Sequence, residues 1–249
     1  MDLSALDRHD KIALMFSGGK DSLAVVYLLR EHLPRVTVYH VNTGDLLPEI
    51  EAIVDYVRLG VPNFVQIDTD AMAWGDTNGL PTDLLPYTEH PLARMAGQGG
   101  NERLTSRYDC CYQNLMLPCY ARAKADGCTL VIRGSKACDN PLMPTRSGER
   151  IDGMEMLYPI QDWSHADVQA YLRSVGAPHN RIYDHMTNAP ECARCSAWWG
   201  EKRSAYLRQF HPTVWADYQA RLRRVSAAMA ESVDNLRREL ADAPDTGAN

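Results

Sequence analysis

Long apolar runs are missing from this chain of 249 residues. No stretch approaches the roughly 20 apolar residues that a membrane helix requires. Met1-Asp2-Leu3 opens an acidic, mixed segment that lacks the basic and then apolar succession of a secretory leader. Together these absences predict a soluble, cytoplasmic protein with no membrane partner. Internal repeats are absent too. An excess of positive charge is also lacking, since 26 basic and 32 acidic residues give a formal net charge of -6. That balance excludes a surface that coats nucleic acid broadly and leaves room for a local basic groove. No histidine stands at a trustworthy ligand spacing, and no cysteine follows Cys195. In a reducing compartment the seven cysteines are read first as metal ligands or catalysts, because disulfides do not persist there. The length and the 45% hydrophobic content suit one sizeable α/β domain with an appendage.

The most informative stretch is Phe16-Ser17-Gly18-Gly19-Lys20-Asp21-Ser22-Leu23, between the apolar run Ile12 to Phe16 and a helical pattern from Leu23 to Leu33. A strand, a glycine turn and a helix start in that order form an anion site, because the new helix offers free N–H groups and the positive end of its dipole. Lys20 and the hydroxyls of Ser17 and Ser22 add donors. The spacing is neither that of a Walker loop nor that of the dinucleotide fingerprint. It resembles the PP-loop of the ATP pyrophosphatases. That resemblance implies binding of ATP with Mg²⁺ by Ser17, Gly18, Gly19, Lys20, Asp21 and Ser22, with Lys20 and Asp21 catalytic and pyrophosphate as the leaving group.

Strands follow at Arg35 to Asn42 and Phe64 to Ile67, with a helix from Glu49 to Leu59 between Pro48 and Gly60. A further helix is predicted over Cys111 to Ala125, then strands at Thr129 to Ile132 and Met156 to Ile160. Alternating strands and helices predict an α/β fold, a Rossmann-like parallel sheet with helices on both faces and a ligand site at its carboxyl ends. Residues 71–106 lose periodicity and predict a lid or substrate loop. Ser164 caps a helix with Asp167 near the capping-box position. Helices are expected at Glu201 to Phe210 and from Thr213 to about Leu240. The apolar stripe of the latter packs on the sheet domain or offers a face for a homodimer. The domain reading is residues 1–163 for the nucleotide-binding domain, 164–240 for a helical C-terminal region and 241–249 for a disordered tail.

Thr43-Gly44-Asp45-Leu46-Leu47-Pro48-Glu49 leaves the second strand beside the glycine turn, with Gly44 allowing close backbone approach. Cys110-Cys111 and Cys192-Ala193-Arg194-Cys195 supply four sulfurs from two segments, a donor set for an iron–sulfur cluster or structural zinc. Arg133-Gly134-Ser135-Lys136 exits another strand at the ligand end, and Arg146 follows. Together with Tyr158-Pro159-Ile160-Gln161-Asp162-Trp163, these blocks resemble the phosphoadenylylsulfate (PAPS) reductase branch, over Ile12 to about Trp199. In the stretch after the second strand, Asn42 and Ile50 replace that branch's outer Asp and Thr. The resemblance implies nucleotide contacts from Thr43 and Gly44, and sulfate or phosphate contacts from Arg133, Lys136 and Arg146. It also implies an adenylylsulfate (APS) reductase type [4Fe-4S] cluster on Cys110, Cys111, Cys192 and Cys195, with zinc as the lesser alternative. Cys119, Cys128 and Cys138 read as ordinary buried residues.

Two reactions compete. An intact Ser-Gly-Gly-Lys-Asp-Ser and the lack of a cysteine after Cys195 favour adenylation of an unknown acceptor, nucleic acid among the candidates, followed by sulfur transfer. The alternative is a sulfonucleotide reductase acting on APS or PAPS, for which Cys138 in the basic loop is the candidate nucleophile. A nucleotide-binding regulator without catalysis is the third option.

Overall fold

The computed structural model describes residues 3–83, 103–139, 145–200 and 202–242. They form two compact units, one of residues 1–72 and 111–193 and one of residues 73–110 and 194–249. Residues 164–193 thus pack with the sheet, although the sequence groups them with the C-terminal helices, and 73–110 joins the C-terminal unit.

In the first unit, β1 (Ile12–Met15), β2 (Val36–Asn42) and β3 (Phe64–Asp68) alternate with α1 (Lys20–Leu28) and α2 (Pro48–Gly60). Leu130–Ile132, Arg150–Ile151 and Met154–Leu157 complete a sheet whose strands, β6, β7 and β8 in chain order, give the order β3-β2-β1-β6-β8-β7. All pairings are parallel except that of β7 with β8. Because β1 is flanked by β2 on one side and β6 on the other, the chain reverses its direction of winding there. The crevice at their carboxyl ends is where such sheets place ligands. The expected α/β class and parallel sheet are therefore present. One face of the sheet, formed by Ala13, Tyr39, Val131 and Met156, is covered by Cys119 and Ala123 of α5 (Leu117–Ala125). On the other side α1 packs against α6 (His165–Ser174). The capping box of α6 is complete, with the Ser164 hydroxyl accepting from the Asp167 N–H and the Asp167 carboxylate accepting from the Ser164 N–H.

Several boundaries differ from the sequence reading. α1 starts at Lys20, directly from the glycine turn, and stops at Leu28; the apolar residues up to Leu33 lie in turns ahead of Pro34, which cannot donate to a helix. The helix expected from Cys111 begins at Arg107, as α4 (Arg107–Cys111). It passes through a wider π turn at Tyr112–Met116 into α5, and Pro118, which lacks an N–H, accounts for the widened turn. The last strand starts two residues earlier than expected, at Met154, and gains β7 through Asp152-Gly153. Both of those residues have positive φ, +50° and +86°, the requirement of a tight hairpin turn.

The second unit corrects the reading of 71–106 as a loop. α3 (Ala71–Asn78) runs into it, and β4 (Leu80–Thr82) pairs in parallel with β5 (Leu104–Ser106). Gly79, at φ +114°, makes this junction possible, because a Cβ there would lie 2.9 Å from the Arg103 carbonyl. The intervening residues 84–102 lie outside the described residues. α7 (Arg203–Phe210) and α8 (Pro212–Asp242) complete the unit, and Val225 of α8 packs with Leu80 and Leu104. Leu236 and Leu240, further along the predicted stripe, are exposed. The helix includes Ala241 and Asp242, which were expected in the tail; 243–249 lie outside the described residues. No helix among the described residues is long and apolar enough to cross a membrane.

Candidate functional site

The glycine turn is built for close packing. Gly18 has φ +84°, and a Cβ on it would lie 2.7 Å from Ile50 and 2.9 Å from Val54, so this position excludes side chains. Gly19 caps α1 at its N-terminus. Three N–H groups of the turn have partners within the protein. The Ser17 N–H donates to Ser22 Oγ at 3.3 Å, the Gly19 N–H to Ser17 Oγ at 3.3 Å, and the Lys20 N–H to the Tyr183 hydroxyl at 2.8 Å. The Lys20 ammonium points inward. It donates to Asp21 at 3.2 Å and to Asn188 at 3.0 Å, and it lies over the Tyr183 ring, 5.1 Å from the centroid. Burial, reinforced by the nearby Lys136 charge, holds its pKa below the ordinary lysine value in spite of Asp21.

Asp21 ties the turn to the basic block. Its Oδ1 lies 2.6 Å from Lys136 Nζ, and Lys136 also donates to Asp139 at 2.5 Å. Lys136 is fully buried. Burial works against its charge, but the two carboxylates more than offset that and raise its pKa above the ordinary value. Lys136 thus braces the turn, where the sequence reading gave it a ligand contact. The backbones meet as well: a Cβ on Gly134 would fall 2.8 Å from the Asp21 carbonyl carbon and oxygen.

Between β1, β6 and α5 opens a cavity of about 390 Å³, lined by Ser17, Asp21, Cys111, Arg133, Ser135 and Glu191 among others. Arg133 reaches the Tyr120 hydroxyl at 3.5 Å. Glu191 lies on the cavity wall but is itself exposed. Burial pushes the Cys119 thiol up to about 12, and the group donates to Met15 Sδ at 2.9 Å, so this cavity residue is a packed, protonated thiol. Cys128 is buried likewise, but Cys138 is exposed, contrary to the expectation that all three lie inside.

Thr43 is fully buried, and Gly44 turns at φ +75°. Cys192 Sγ lies 3.5 Å from Thr43 Oγ1, and the Ala193 N–H donates to the Asp45 carbonyl at 2.7 Å. The loop after β2 therefore anchors the second cysteine segment. Arg146 sits exposed in the turn before β7, its N–H bonded to Glu149 at 3.0 Å. Cys111 and Cys192 belong to the first unit, Cys110 and Cys195 to the second. Within the first unit Cys111 lines the cavity and Cys192 stands against the β2 loop, and thiols of this kind have the donor chemistry of an iron–sulfur cluster. Tyr183, Asn188, Tyr120 and Glu191 were not singled out from the sequence. The first three sit in stretches without a motif, and Glu191 had its position next to Cys192 as the available signal.

A parallel sheet with a glycine turn at its switch point and an arginine across the crevice makes a Rossmann-like α/β arrangement with its cavity at the strand ends. Residues 11–73 match the family model described as Phosphoadenosine phosphosulfate reductase domain. The Adenosine 5'-phosphosulfate reductase of Allochromatium vinosum is 22% identical over 236 residues, covering 85% of this chain and 84% of that protein. The enzyme of the same name from Burkholderia cepacia is 24% identical over 227 residues, covering 84% and 83%. The crystal structure of phosphoadenylyl-sulfate (PAPS) reductase from Candida auris, a phosphate complex, matches with a TM-score of 0.46 and 18% identity, over 70% of this chain and 77% of that one. The chain is thus similar to the PAPS reductase domain over residues 11–73 and, along most of its length, to these two reductases.

Proposed function

We propose that this protein is a sulfonucleotide reductase. It binds an adenylylated sulfate such as APS in the cavity beside Ser17 and Arg133. A dithiol supplies two electrons, the bond between sulfur and the phosphate oxygen breaks, and AMP and sulfite leave as the dithiol becomes a disulfide. The observation that carries this reading is that Lys20 is already satisfied by partners within the protein. The Lys20 N–H and ammonium, which a pyrophosphate-releasing enzyme would present to its leaving group, are bonded to Tyr183, Asp21 and Asn188. The available cation on the cavity wall is Arg133, a planar fork suited to a sulfate or phosphate. Two relatives that align over most of the chain carry the name Adenosine 5'-phosphosulfate reductase, which supports the same reading.

A [4Fe-4S] cluster on Cys110, Cys111, Cys192 and Cys195 would supply a redox-active, electron-withdrawing centre to this branch's chemistry. The chain's own residues bind and orient: Arg133 faces the anion, and Gly134 holds the basic strand end against α1. Adenylation followed by sulfur transfer is the second reading, and the intact Ser-Gly-Gly-Lys-Asp-Ser favours it. One experiment decides between them. Anaerobically prepared protein is given APS, PAPS or ATP, with a dithiol reductant. Sulfite and AMP from APS are expected; pyrophosphate from ATP without sulfite from either sulfonucleotide would overturn the proposal.

A further inference from the structure

The loop after β6 and the entrance to α6 bring three metal-binding side chains together outside the nucleotide cavity's cysteine set. Cys138, Asp139 and His165 each present a ligand atom, and all three atoms lie within 4.8 Å of one another. The two segments are fastened by the Ala137 N–H, which donates to the Gln161 carbonyl at 2.8 Å, and by the Cys138 thiol, which donates to the Trp163 carbonyl at 3.4 Å. The Ala137 bond is between backbones and would persist when the Cys138 thiol gives up its proton to ligate an ion. His165 is set at the first helical position by the Ser164 and Asp167 capping box.

We propose that Cys138, Asp139 and His165 form a binding site for a thiophilic divalent cation, with zinc as the fitting ion. The donor set is soft sulfur, imidazole nitrogen and one carboxylate, a combination that zinc accepts and that magnesium or calcium does not favour. Geometry agrees. Zinc holds nitrogen and oxygen ligands at about 2.0–2.2 Å, so two of them stand roughly 3.3 Å apart across a tetrahedral centre. His165 Nε2 and Asp139 Oδ1 already stand 3.2 Å apart. Charge agrees as well. Thiolate and carboxylate together balance a dication, and Lys136, bonded to the other Asp139 oxygen at 2.5 Å, offsets the extra density on that carboxylate.

The ring's other nitrogen, Nδ1, is buried and has no hydrogen-bond partner among the described residues, so Nε2, which faces Asp139, is the ligand atom. With three protein ligands the ion keeps one open position, as catalytic and exchangeable zinc sites do. The carboxylate it would use, that of Asp139, shares the Lys136 ammonium with Asp21 of the glycine turn. Occupancy thus draws on the same ion-pair chain that braces the nucleotide site.

The test follows Cys138 itself, because the other thiols also bind metal. Full-length protein, with or without zinc chloride at one equivalent per chain, is reacted with iodoacetamide, and alkylation of the Cys138 peptide is timed by mass spectrometry. Zinc is expected to slow Cys138 alkylation by about tenfold or more in the parent protein, and to have little effect in His165→Ala. Should that variant fold poorly, His165→Gln keeps a donor to Asp139 but cannot ligate zinc, and it is expected to behave in the same way. An unchanged alkylation rate in the parent protein, or equal protection in both His165 variants, would overturn the site.

Discussion

The Asp21 carboxylate and the Lys136 ammonium lie 2.6 Å apart, the lysine without solvent exposure, so the glycine turn and the strand end opposite are joined by a buried ion pair. Removing one partner of such a pair leaves the other charged and unpaired, which costs about 3–5 kcal/mol. Lys136→Met is therefore expected to destabilise the first unit by that order, measured by urea unfolding. A loss below about 0.5 kcal/mol, the ordinary range of surface substitutions, would mean that Lys136 is not the brace described.

Tyr183→Phe removes the hydroxyl that accepts the Lys20 N–H. The lost hydrogen bond is expected to lower stability by about 0.5–1.5 kcal/mol. It also frees a donor at the helix start, so calorimetric titration should show tighter binding of inorganic pyrophosphate. Unchanged or weaker pyrophosphate binding would show that the hydroxyl does not stand in the anion position.

Arg133 faces the cavity together with Glu191. Arg133→Ala is expected to weaken APS binding by about 1.5–3 kcal/mol, the worth of a charged hydrogen bond. Arg133→Lys should recover part of it, because a point charge replaces a two-pronged donor. Equal affinities for all three proteins in equilibrium dialysis would remove Arg133 from the site.

Glu155 of β8 gives a pH dependence at the other end of the sheet. Burial by itself would raise its pKa, but hydrogen bonds from His9 at 3.0 Å and Arg8 at 2.6 Å outweigh burial and hold it below the ordinary carboxylate value. A depressed pKa contributes stability that is complete above the unfolded value of about 4.3 and is lost as pH falls through the folded value. Glu155→Gln should therefore be less stable than the parent at pH 7, by about 1–3 kcal/mol. The gap between the two should close below about pH 4. Thermal melts across that range check it, and a constant gap would refute the linkage.

The sheet and the glycine turn were legible because apolar runs, glycines and a following helix are local signals, and Ile12, Val36 and Phe64 sit where those signals put them. The hairpin at Asp152-Gly153 carries a local turn signal, but the strand before it is only two residues long and shows no periodicity. The partners of Lys20 were not legible, since Tyr183 and Asn188 come from a loop more than 160 residues away that has no periodicity. Nor was the burial of Lys136: a basic residue after a strand reads as a ligand contact until two carboxylates are found around it. The small parallel pair β4 and β5 escaped because 21 residues separate them and each strand is three residues long.

Gly134 lies so close to the peptide of Asp21 and Ser22 that neither segment can shift without the other. Of the site's side chains, Ser17 and Arg133 leave the ends of those two neighbouring strands, so they are fixed in relation to each other before any ligand arrives. An incoming nucleotide then surrenders its own freedom but not that of the protein, and affinity is set by fit more than by induced order. A larger residue at 134 would turn this rigid vise into a pair of independent loops, and the same contacts would have to be assembled anew at every encounter.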